Sequence, residues 1–276
     1  MTRIALFQMC SGADPEANCR AIAEAAKEAA LGGAKVLFTP EMALLLDRDR
    51  KRAAATIEAS DYADYPARLA ALAELAGIDI ALGSMPIAHS SGKWVNRAFH
   101  FFADGRAPVS YDKLHLFDVE LSTGESWRES NAYEPGSHLS IVEESAVGRL
   151  GLTICYDIRF PALFEELGRL RCDCIAIPAA FTVPTGKAHW HVLLRARAIE
   201  ASAFVIAAAQ VGEHEDGRTT YGHSLVVDPW GEVLLDMGSE GPGIGYCEVD
   251  LSRIEEVRSQ VPSLANRREI PKLPAS

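Results

Sequence analysis

Long apolar runs are missing from this sequence. No stretch of membrane-spanning length is free of charged residues, proline or turn residues. The opening residues, MTRIALFQMCSG, contain only a short apolar run and no cleavage-site pattern, so no signal peptide is predicted. We therefore expect a cytoplasmic protein that does not associate with membranes.

Positive charge is also scarce. The chain has 27 Lys and Arg residues against 38 Asp and Glu residues, which gives a formal net charge of −11. Such a surface repels phosphate backbones and anionic lipids, so nucleic-acid binding and membrane-surface binding are both disfavoured. The partner that remains is a small molecule.

Two common cofactor patterns are absent as well. The six cysteines include no C-x-x-C pair, and Cys172 and Cys174 lie in an apolar run that predicts buried, free thiols. The glycine-rich stretch Gly241–Gly245 lacks the spacing of a dinucleotide-binding fingerprint and does not follow an early βαβ unit. No metal and no cofactor is expected.

What is present is an alternation of short β-like runs and helical patterns over 276 residues, without repeats or linkers. This order predicts a single α/β domain over residues 1–268 with a tail over residues 269–276. Because the stretch 262–276 holds three prolines, we expect it to leave the compact body. The predicted helices are Glu16–Leu31, Tyr65–Ala76, Pro161–Leu170, His189–Ser202 and Leu251–Gln260. The predicted strands are Arg3–Met9, Val36–Phe38, Ile78–Leu82, Ala98–Phe102, Leu139–Val142, Arg149–Ile154, Cys174–Ile177, Phe204–Ala209, Ser224–Val227, Val233–Leu235 and Ile244–Val249.

Cys155 stands between an apolar strand and a helix that begins with proline, in the sequence GRLGLTICYDIRFP. A cysteine in such a sharp turn meets free backbone N–H groups, which favour the thiolate and can hold an oxyanion. The same position also suits a structural cysteine at a strand end. The local sequence supports the two interpretations about equally.

Glu41 and Lys113 also follow β-like segments. Glu41 comes after Val36–Phe38, at the strand end where ligands of α/β sheets collect, and apolar neighbours could raise its pKa for use as a general base. Lys113 lies among apolar residues and could stabilise a negative oxygen. Taken singly, each also fits an ordinary surface residue.

Three ordered motifs change that assessment. F-x-P-E ends at Glu41, Y-x-K-x-H-L-F contains Lys113, and G-x-x-I-C-Y-D-x-R-F-P contains Cys155. Together they resemble the signature blocks of the nitrilase (carbon–nitrogen hydrolase) superfamily, and the resemblance extends to about Arg268. It implies that Cys155 is the nucleophile, Glu41 the general base and Lys113 the oxyanion-stabilising lysine.

The resemblance further implies a second glutamate after the lysine. The stretch W-R-E-S places it at Glu129, with Glu125 and Glu134 as nearby alternatives. It also implies an αββα sandwich that forms homodimers or higher homo-oligomers.

Later blocks indicate the branch. The segments Phe181–Trp190, Leu193–Glu200 and Tyr221–Gly231 resemble the Nit-type amidases, and with Ser239–Gly243 they are most similar to the deaminated-glutathione amidases. One departure is His191, where relatives commonly carry Glu, and we expect its consequence to be local rather than catalytic.

This branch implies hydrolysis of a linear carboxamide to an acid and ammonia. Its substrates end in carboxylates, so Arg159 is a candidate anchor, although an ion pair with Asp157 is equally compatible with the sequence. Phe181 and Thr185 are expected to line the same pocket, and the backbone N–H of Tyr156 to help hold the oxyanion.

Alternatives within the class are an omega-amidase acting on 2-oxoglutaramate or 2-oxosuccinamate, a carbamoyl hydrolase and a true nitrilase. Outside the class, a catalytically silent interaction protein on the same fold is the remaining alternative. The physiological amide is not determined by sequence, since pocket shape sets specificity.

Overall fold

Two six-stranded β-sheets lie at the centre of the computed structural model, which describes residues 1–120 and 126–271. In the first sheet the strands follow the order β16-β1-β2-β3-β4-β5, and in the second the order β15-β14-β11-β10-β9-β8. The first sheet contains β1 (Thr2–Gln8), β2 (Val36–Phe38), β3 (Asp79–Ala88), β4 (Trp94–Phe101), β5 (Val109–Asp112) and β16 (Gly243–Val249). The second contains β8 (Ile141–Ser145), β9 (Gly148–Leu152), β10 (Cys174–Ala176), β11 (Phe204–Ala207), β14 (Leu225–Val227) and β15 (Val233–Asp236).

Parallel strands occupy the middle of each sheet. The strands β1, β2 and β3 run parallel, as do β9, β10 and β11. Parallel neighbours need long crossovers, which the helices supply. The helices are α1 (Pro15–Leu31), α2 (Arg50–Ile57), α3 (Tyr65–Ala76), α4 (Pro161–Arg169), α5 (Val183–Ala201) and α6 (Ser252–Gln260). The small hairpins pair β6 (Asp118–Glu120) with β7 (Ser126–Arg128), and β12 (Val211–Glu213) with β13 (Thr219–Tyr221).

Local sequence explains where helices begin and end. Asp14 caps α1 through a hydrogen bond from the Glu16 backbone, and Pro15 takes the first turn, where its missing N–H is harmless. The helix α3 ends at Gly77, whose φ of 65° is in the left-handed region that glycine adopts readily.

The alternation of side chains along β1 and β2 separates two cores. Ala5 and Leu37 pack with Ile22 of α1 on the outer face of the first sheet. Leu6 and Phe38 point the other way and belong to a core shared with the second sheet and with α4 and α5. The layers are therefore helix, sheet, sheet, helix, and the predicted single-domain αββα sandwich is confirmed.

Two further predictions concern buried cysteines and membrane-spanning helices. Cys172 and Cys174 are fully buried and unpaired, as predicted. Within residues 1–120 and 126–271, no helix combines the length and apolarity needed to span a bilayer.

The start of one helix was predicted wrongly, and another helix was not predicted. The helix that was predicted to begin at His189 begins at Val183. Pro184 is tolerated because it lies in the first turn, and Gly186 is required where α5 packs on Tyr221. A Cβ at Gly186 would lie 2.3 Å from the Tyr221 ring. The short helix α2 was not predicted, since its basic first turn has little apolar periodicity.

The stretch 262–276 was predicted to leave the compact body, and this prediction is wrong for its first part. Arg267 lies 3.1 Å from the Glu165 carboxylate and also donates to the Glu165 carbonyl, so the chain returns to α4. The boundary predicted after residue 268 stays a prediction, and residues 272–276 lie outside the described range.

Candidate active site

Glu41 lies in the loop that leaves β2, where the backbone is tightly held. The Glu41 carbonyl accepts a hydrogen bond from Gln210 at 3.0 Å, and the next residue, Met42, has a φ of 55°. Gly83 lets the loop pass close by, because a Cβ there would come within 2.2 Å of the Thr39 carbonyl. The Glu41 carboxyl group therefore points into the molecule, and the residue is only 5% exposed.

Cys155 sits in the turn that follows β9. Its N–H donates to the Pro178 carbonyl at 2.8 Å, and it begins the 3₁₀ turn Cys155–Arg159. A φ of 46° is strained for a non-glycine residue, and such strain is concentrated at functional sites. The Cys155 thiol and the Glu41 carboxylate line the same cavity, so two of the motif residues come together there.

Lys113 follows β5 and completes the convergence. Its backbone N–H donates to the Asn96 carbonyl at 3.0 Å, which fixes the residue against β4. Its ammonium group lies 2.8 Å from Glu41 and 3.0 Å from Glu129. The side chain is 2% exposed, so both ion pairs are shielded from water.

The second glutamate beside Lys113 is Glu129. It begins the 3₁₀ turn Glu129–Asn131 and accepts a hydrogen bond from the Phe117 backbone at 2.6 Å. The alternative Glu134 instead pairs with Lys93 at 3.3 Å. The other alternative, Glu125, lies outside the described residues.

Asn96 is a member of this group that sequence analysis missed. Its amide nitrogen donates to Glu41 at 3.0 Å and approaches Glu129 at 3.3 Å, so it links the two carboxylates as Lys113 does. Its side-chain oxygen is buried without a protein partner in the described part of the chain. The only sequence signal was a polar residue inside β4, just before the predicted strand.

The charges of the group set its protonation. Burial raises the pKa of Glu41, but the charge of the Lys113 ammonium and the hydrogen bonds from Lys113 and Asn96 together outweigh it, and the net pKa lies below the ordinary value. Burial and the neighbouring Glu41 carboxylate raise the pKa of the Cys155 thiol well above its ordinary value, against the opposing effect of Lys113. Burial lowers the pKa of Lys113, but Glu129 and Glu41 raise it well above the ordinary value.

Two electrostatic expectations were therefore wrong. Glu41 was expected to have a raised pKa because of apolar neighbours, but it meets a buried ammonium group. The turn at Cys155 was expected to favour the thiolate, but burial of the thiol and the neighbouring Glu41 carboxylate raise its pKa instead. The resting group is a protonated thiol beside an ionised carboxylate, which is the pairing that general-base activation requires.

All the predicted site residues line one cavity of about 270 Å³. They are Glu41, Lys113, Glu129, Cys155, Tyr156, Arg159, Phe181 and Thr185. Because catalytic and binding candidates share a single concave space, a small substrate can contact both sets at once.

Arg159 points into this cavity and does not pair with Asp157. Its guanidinium group lies 5.3 Å from the centre of the Phe181 ring and 3.3 Å from a His189 nitrogen. Asp157 is fully buried and instead accepts a hydrogen bond from Tyr111 at 2.8 Å. The structural ion pair considered for Arg159 is therefore wrong, and among residues 1–120 and 126–271 no carboxylate pairs with its guanidinium group.

A second cationic wall was not predicted. Arg48 and Arg218 lie over the Trp127 ring, at 5.6 Å and 4.9 Å from its centre. All three line the cavity, which places two further arginines on its wall, although Arg218 also pairs with Asp216 at 2.7 Å. Nothing in their sequence spacing indicated this convergence.

The sequence matches a known family over most of its length. The model of the carbon–nitrogen hydrolase family matches residues 3–259. Among curated relatives, the deaminated glutathione amidase of Yersinia enterocolitica is 37% identical, over 98% of this chain and 94% of that protein. The one from Synechocystis is 39% identical, over 95% of this chain and 97% of that protein, and the human one is 37% identical, over 96% and 82%.

Solved structures agree with the sequence relatives. The Caenorhabditis elegans NitFhit protein superposes with a TM-score of 0.86 at 34% identity, over 97% of this chain and 65% of that chain. Yeast Nit3, of the nitrilase superfamily, gives a TM-score of 0.83 at 29% identity, over 95% of this chain and 94% of that chain. A mutant of the Nesterenkonia amidase, which carries acrylamide added to its active-site cysteine, gives 0.79 at 26%, over 95% and 98%.

Family, fold and cavity chemistry agree with the sequence motifs. The chain is a hydrolase that acts on amide carbon–nitrogen bonds. It belongs to the carbon–nitrogen hydrolase family of the nitrilase superfamily.

Proposed function

We propose that this chain hydrolyses the amide of deaminated glutathione, or of a similar 2-oxo-acid amide, through a thioester on Cys155. The observation that carries the proposal is the ion pair of Lys113 with Glu41 at 2.8 Å, in the same cavity that Cys155 lines. The names of the curated relatives in bacteria and mammals support the choice of substrate.

The first half of the reaction forms the thioester. The Glu41 carboxylate takes the thiol proton, and the sulfur of Cys155 attacks the amide carbonyl carbon. The carbonyl oxygen gains negative charge, which the Lys113 ammonium and the Tyr156 backbone N–H stabilise. As the C–N bond breaks, Glu41 returns the proton to nitrogen and ammonia leaves.

The second half releases the acid. Water enters where ammonia left, Glu41 takes a proton from it, and the resulting hydroxide attacks the thioester carbonyl. The C–S bond breaks, the sulfur recovers the proton from Glu41, and the carboxylic acid departs. Glu129 keeps Lys113 in place through two hydrogen bonds of 3.2 and 3.0 Å.

Substrate panels test this assignment against its alternatives. Ammonia release should be fastest with deaminated glutathione. A larger kcat/KM with 2-oxoglutaramate would favour an omega-amidase, and a larger one with a simple nitrile would favour a nitrilase. No ammonia release from any amide in the panel would contradict the proposal.

The pH profile should be flat around neutrality. Because the pKa of Glu41 is lowered and that of Cys155 is raised, the reactive pair persists between them. We expect kcat/KM to stay constant from about pH 5 to about pH 9, because the ordinary pKa values of about 4.3 for glutamate and about 8.5 for cysteine are shifted apart. A bell centred near neutrality, in a protein shown by circular dichroism to be folded, would contradict this charge assignment.

Arg159 is proposed to bind a substrate carboxylate. Because a charge-assisted hydrogen bond contributes about 1.5–3 kcal/mol, Arg159→Met should raise KM for an acidic amide by about 10- to 100-fold. A neutral amide should be little affected, and Arg159→Lys should recover part of the loss. Arg169→Ala, which removes an exposed arginine paired with Glu166, is the control. Equal effects on acidic and neutral amides would contradict the role.

We propose a homodimer through the exposed face of α5, in a cytoplasmic protein. Val192 and Ile199 lie on one side of α5 and are 68% and 50% exposed, and Trp230 next to them is 48% exposed. An apolar patch of this kind is typical of an interface. Six unpaired cysteines fit the cytoplasm. Light scattering should give twice the chain mass, whereas a monomer at micromolar concentration would contradict the dimer.

A further inference from the structure

Two histidines and an aspartate cluster outside the amidase cavity. His191 Nε2 lies 3.0 Å from Asp236 Oδ2, and His223 Nδ1 lies 2.9 Å from Asp236 Oδ1. The donor atoms of all three residues lie within 4.8 Å of one another. None of them lines the amidase cavity, so the mechanism above leaves them unused.

Three separate elements hold the cluster in place. His191 comes from the middle of α5, and Asp236 is the last residue of β15. His223 lies between β13 and β14 with a φ of 56°, fixed by its N–H bond to the Gly238 carbonyl at 2.7 Å and by Trp190, which donates to its carbonyl at 2.8 Å. A strained backbone held from both sides positions the His223 ring independently of its contact with Asp236.

The donor set has the chemistry of a transition-metal site. Two imidazole nitrogens and a carboxylate oxygen are the protein ligands of many zinc and iron sites. Around tetrahedral zinc, with bonds of about 2.0–2.1 Å, ligand atoms stand about 3.3 Å apart. The two imidazole nitrogens face different oxygens of Asp236, at 3.0 and 2.9 Å, so an ion is admitted when the carboxylate turns until one oxygen stands about 3.3 Å from both nitrogens.

The cluster is also accessible. The side chains of His191 and Asp236 are about one third exposed, and that of His223 is 22% exposed. An ion can therefore enter from solvent, and one coordination position remains open to water, as in three-ligand zinc sites.

We propose that His191, His223 and Asp236 form a binding site for a divalent transition-metal ion such as Zn²⁺. In the metal-bound state the coordinating nitrogens, His191 Nε2 and His223 Nδ1, carry no proton, and each neutral ring keeps its single proton on its other nitrogen. The site ties α5 to the segment that follows β13. It therefore stabilises the native fold, whatever amide the distant cavity hydrolyses.

The site is connected to the wall of the amidase cavity. Trp190, which donates to the His223 carbonyl, packs on Phe181 with ring centres 4.7 Å apart. The Tyr221 backbone also donates to the Phe181 carbonyl at 2.9 Å. An ion bound at the cluster braces the cavity wall at Phe181 from outside.

Cobalt binding tests the proposal, because Co²⁺ reports its coordination by visible absorption. The protein used is the full chain carrying Cys155→Ala, which removes the thiol of the cavity as a competing ligand. Titration with CoCl₂ should give one ion per chain with the intense bands of four- or five-coordinate cobalt. Zn²⁺ should displace it and raise the Tm.

Two variants locate the ion. Asp236→Asn and His191→Gln, each in the Cys155→Ala background, should raise the Co²⁺ Kd by about 10- to 100-fold or more, and should abolish the rise in Tm with Zn²⁺. The exposed His138 lies outside the cluster, and His138→Gln should leave both readouts unchanged. Because His191 is a partly exposed helix residue, its variant should fold even if the aspartate variant does not.

Each result of these titrations either supports the metal site or overturns it. Loss of binding in a folded His191→Gln protein, with binding kept in His138→Gln, supports the site. Stoichiometric binding that survives both cluster variants, or no binding at millimolar cobalt, would overturn it. In either of those cases the cluster is a hydrogen-bonded His–Asp–His group only, and the amidase proposal is unaffected.

Discussion

Cys155→Ala is expected to reduce amide hydrolysis by about 10⁴-fold or more, to the background of the assay, because no other side chain replaces the nucleophile. The fold should persist. Alanine keeps the Cβ, occupies the same left-handed backbone conformation as cysteine does, and removes only one buried sulfur atom. Ammonia release under saturating amide, with circular dichroism of the same sample, measures both effects.

A matched control is available for this variant. Cys19 has the same 8% exposure as Cys155 but lies in α1, where alanine is a good helix former. Cys19→Ala should therefore keep its activity and its Tm. Turnover within tenfold of the wild type in a folded Cys155→Ala protein would exclude Cys155 as the nucleophile.

Lys113→Ala is expected to lower kcat by at least about 100-fold, the loss that follows removal of one oxyanion donor. It should also destabilise the fold by about 3–5 kcal/mol, since Glu41 and Glu129 are left buried without their common cation. Chemical denaturation measures the second effect, so activity should be compared only at temperatures where the variant is folded.

The pH profile distinguishes a chemical role of Lys113 from a purely structural one. The Lys113 ammonium lowers the pKa of Glu41, so its removal should move the acid limb of kcat/KM toward neutral pH. Lys27→Ala is the control, because this lysine is exposed on α1 and lies far from the buried group in the fold. An unshifted acid limb together with a loss below tenfold would contradict the role.

The sequence predicted the layers and the three converging residues for a physical reason. Buried parallel strands such as Val36–Phe38 are short apolar runs, and the residues that follow them meet at one edge of the sheet. Glu41 follows β2 of the first sheet and Cys155 follows β9 of the second, so each was expected at the end of a strand in its own sheet. Their approach across the two sheets was implied by the motif resemblance. The spacing of these residues and the order of the motifs were therefore sufficient to predict them as site residues.

Features that depend on tertiary contacts could not be predicted. The start of α5 was hidden because Pro184 and Gly186 indicate a loop until the packing of Tyr221 is known. The participation of Asn96 follows from the pairing of β4 with β5, which brings Asn96 beside Lys113. The sign of the Glu41 pKa shift likewise depends on a cation 72 residues away in sequence.

The most direct test of the account is intact-protein mass spectrometry after rapid acid quench of the wild type with deaminated glutathione. We predict a mass increase equal to the acyl group, mapped by peptide analysis to Cys155, together with one equivalent of ammonia. An acyl group on another cysteine such as Cys10, or a burst of ammonia with no covalent adduct, would contradict the thioester mechanism.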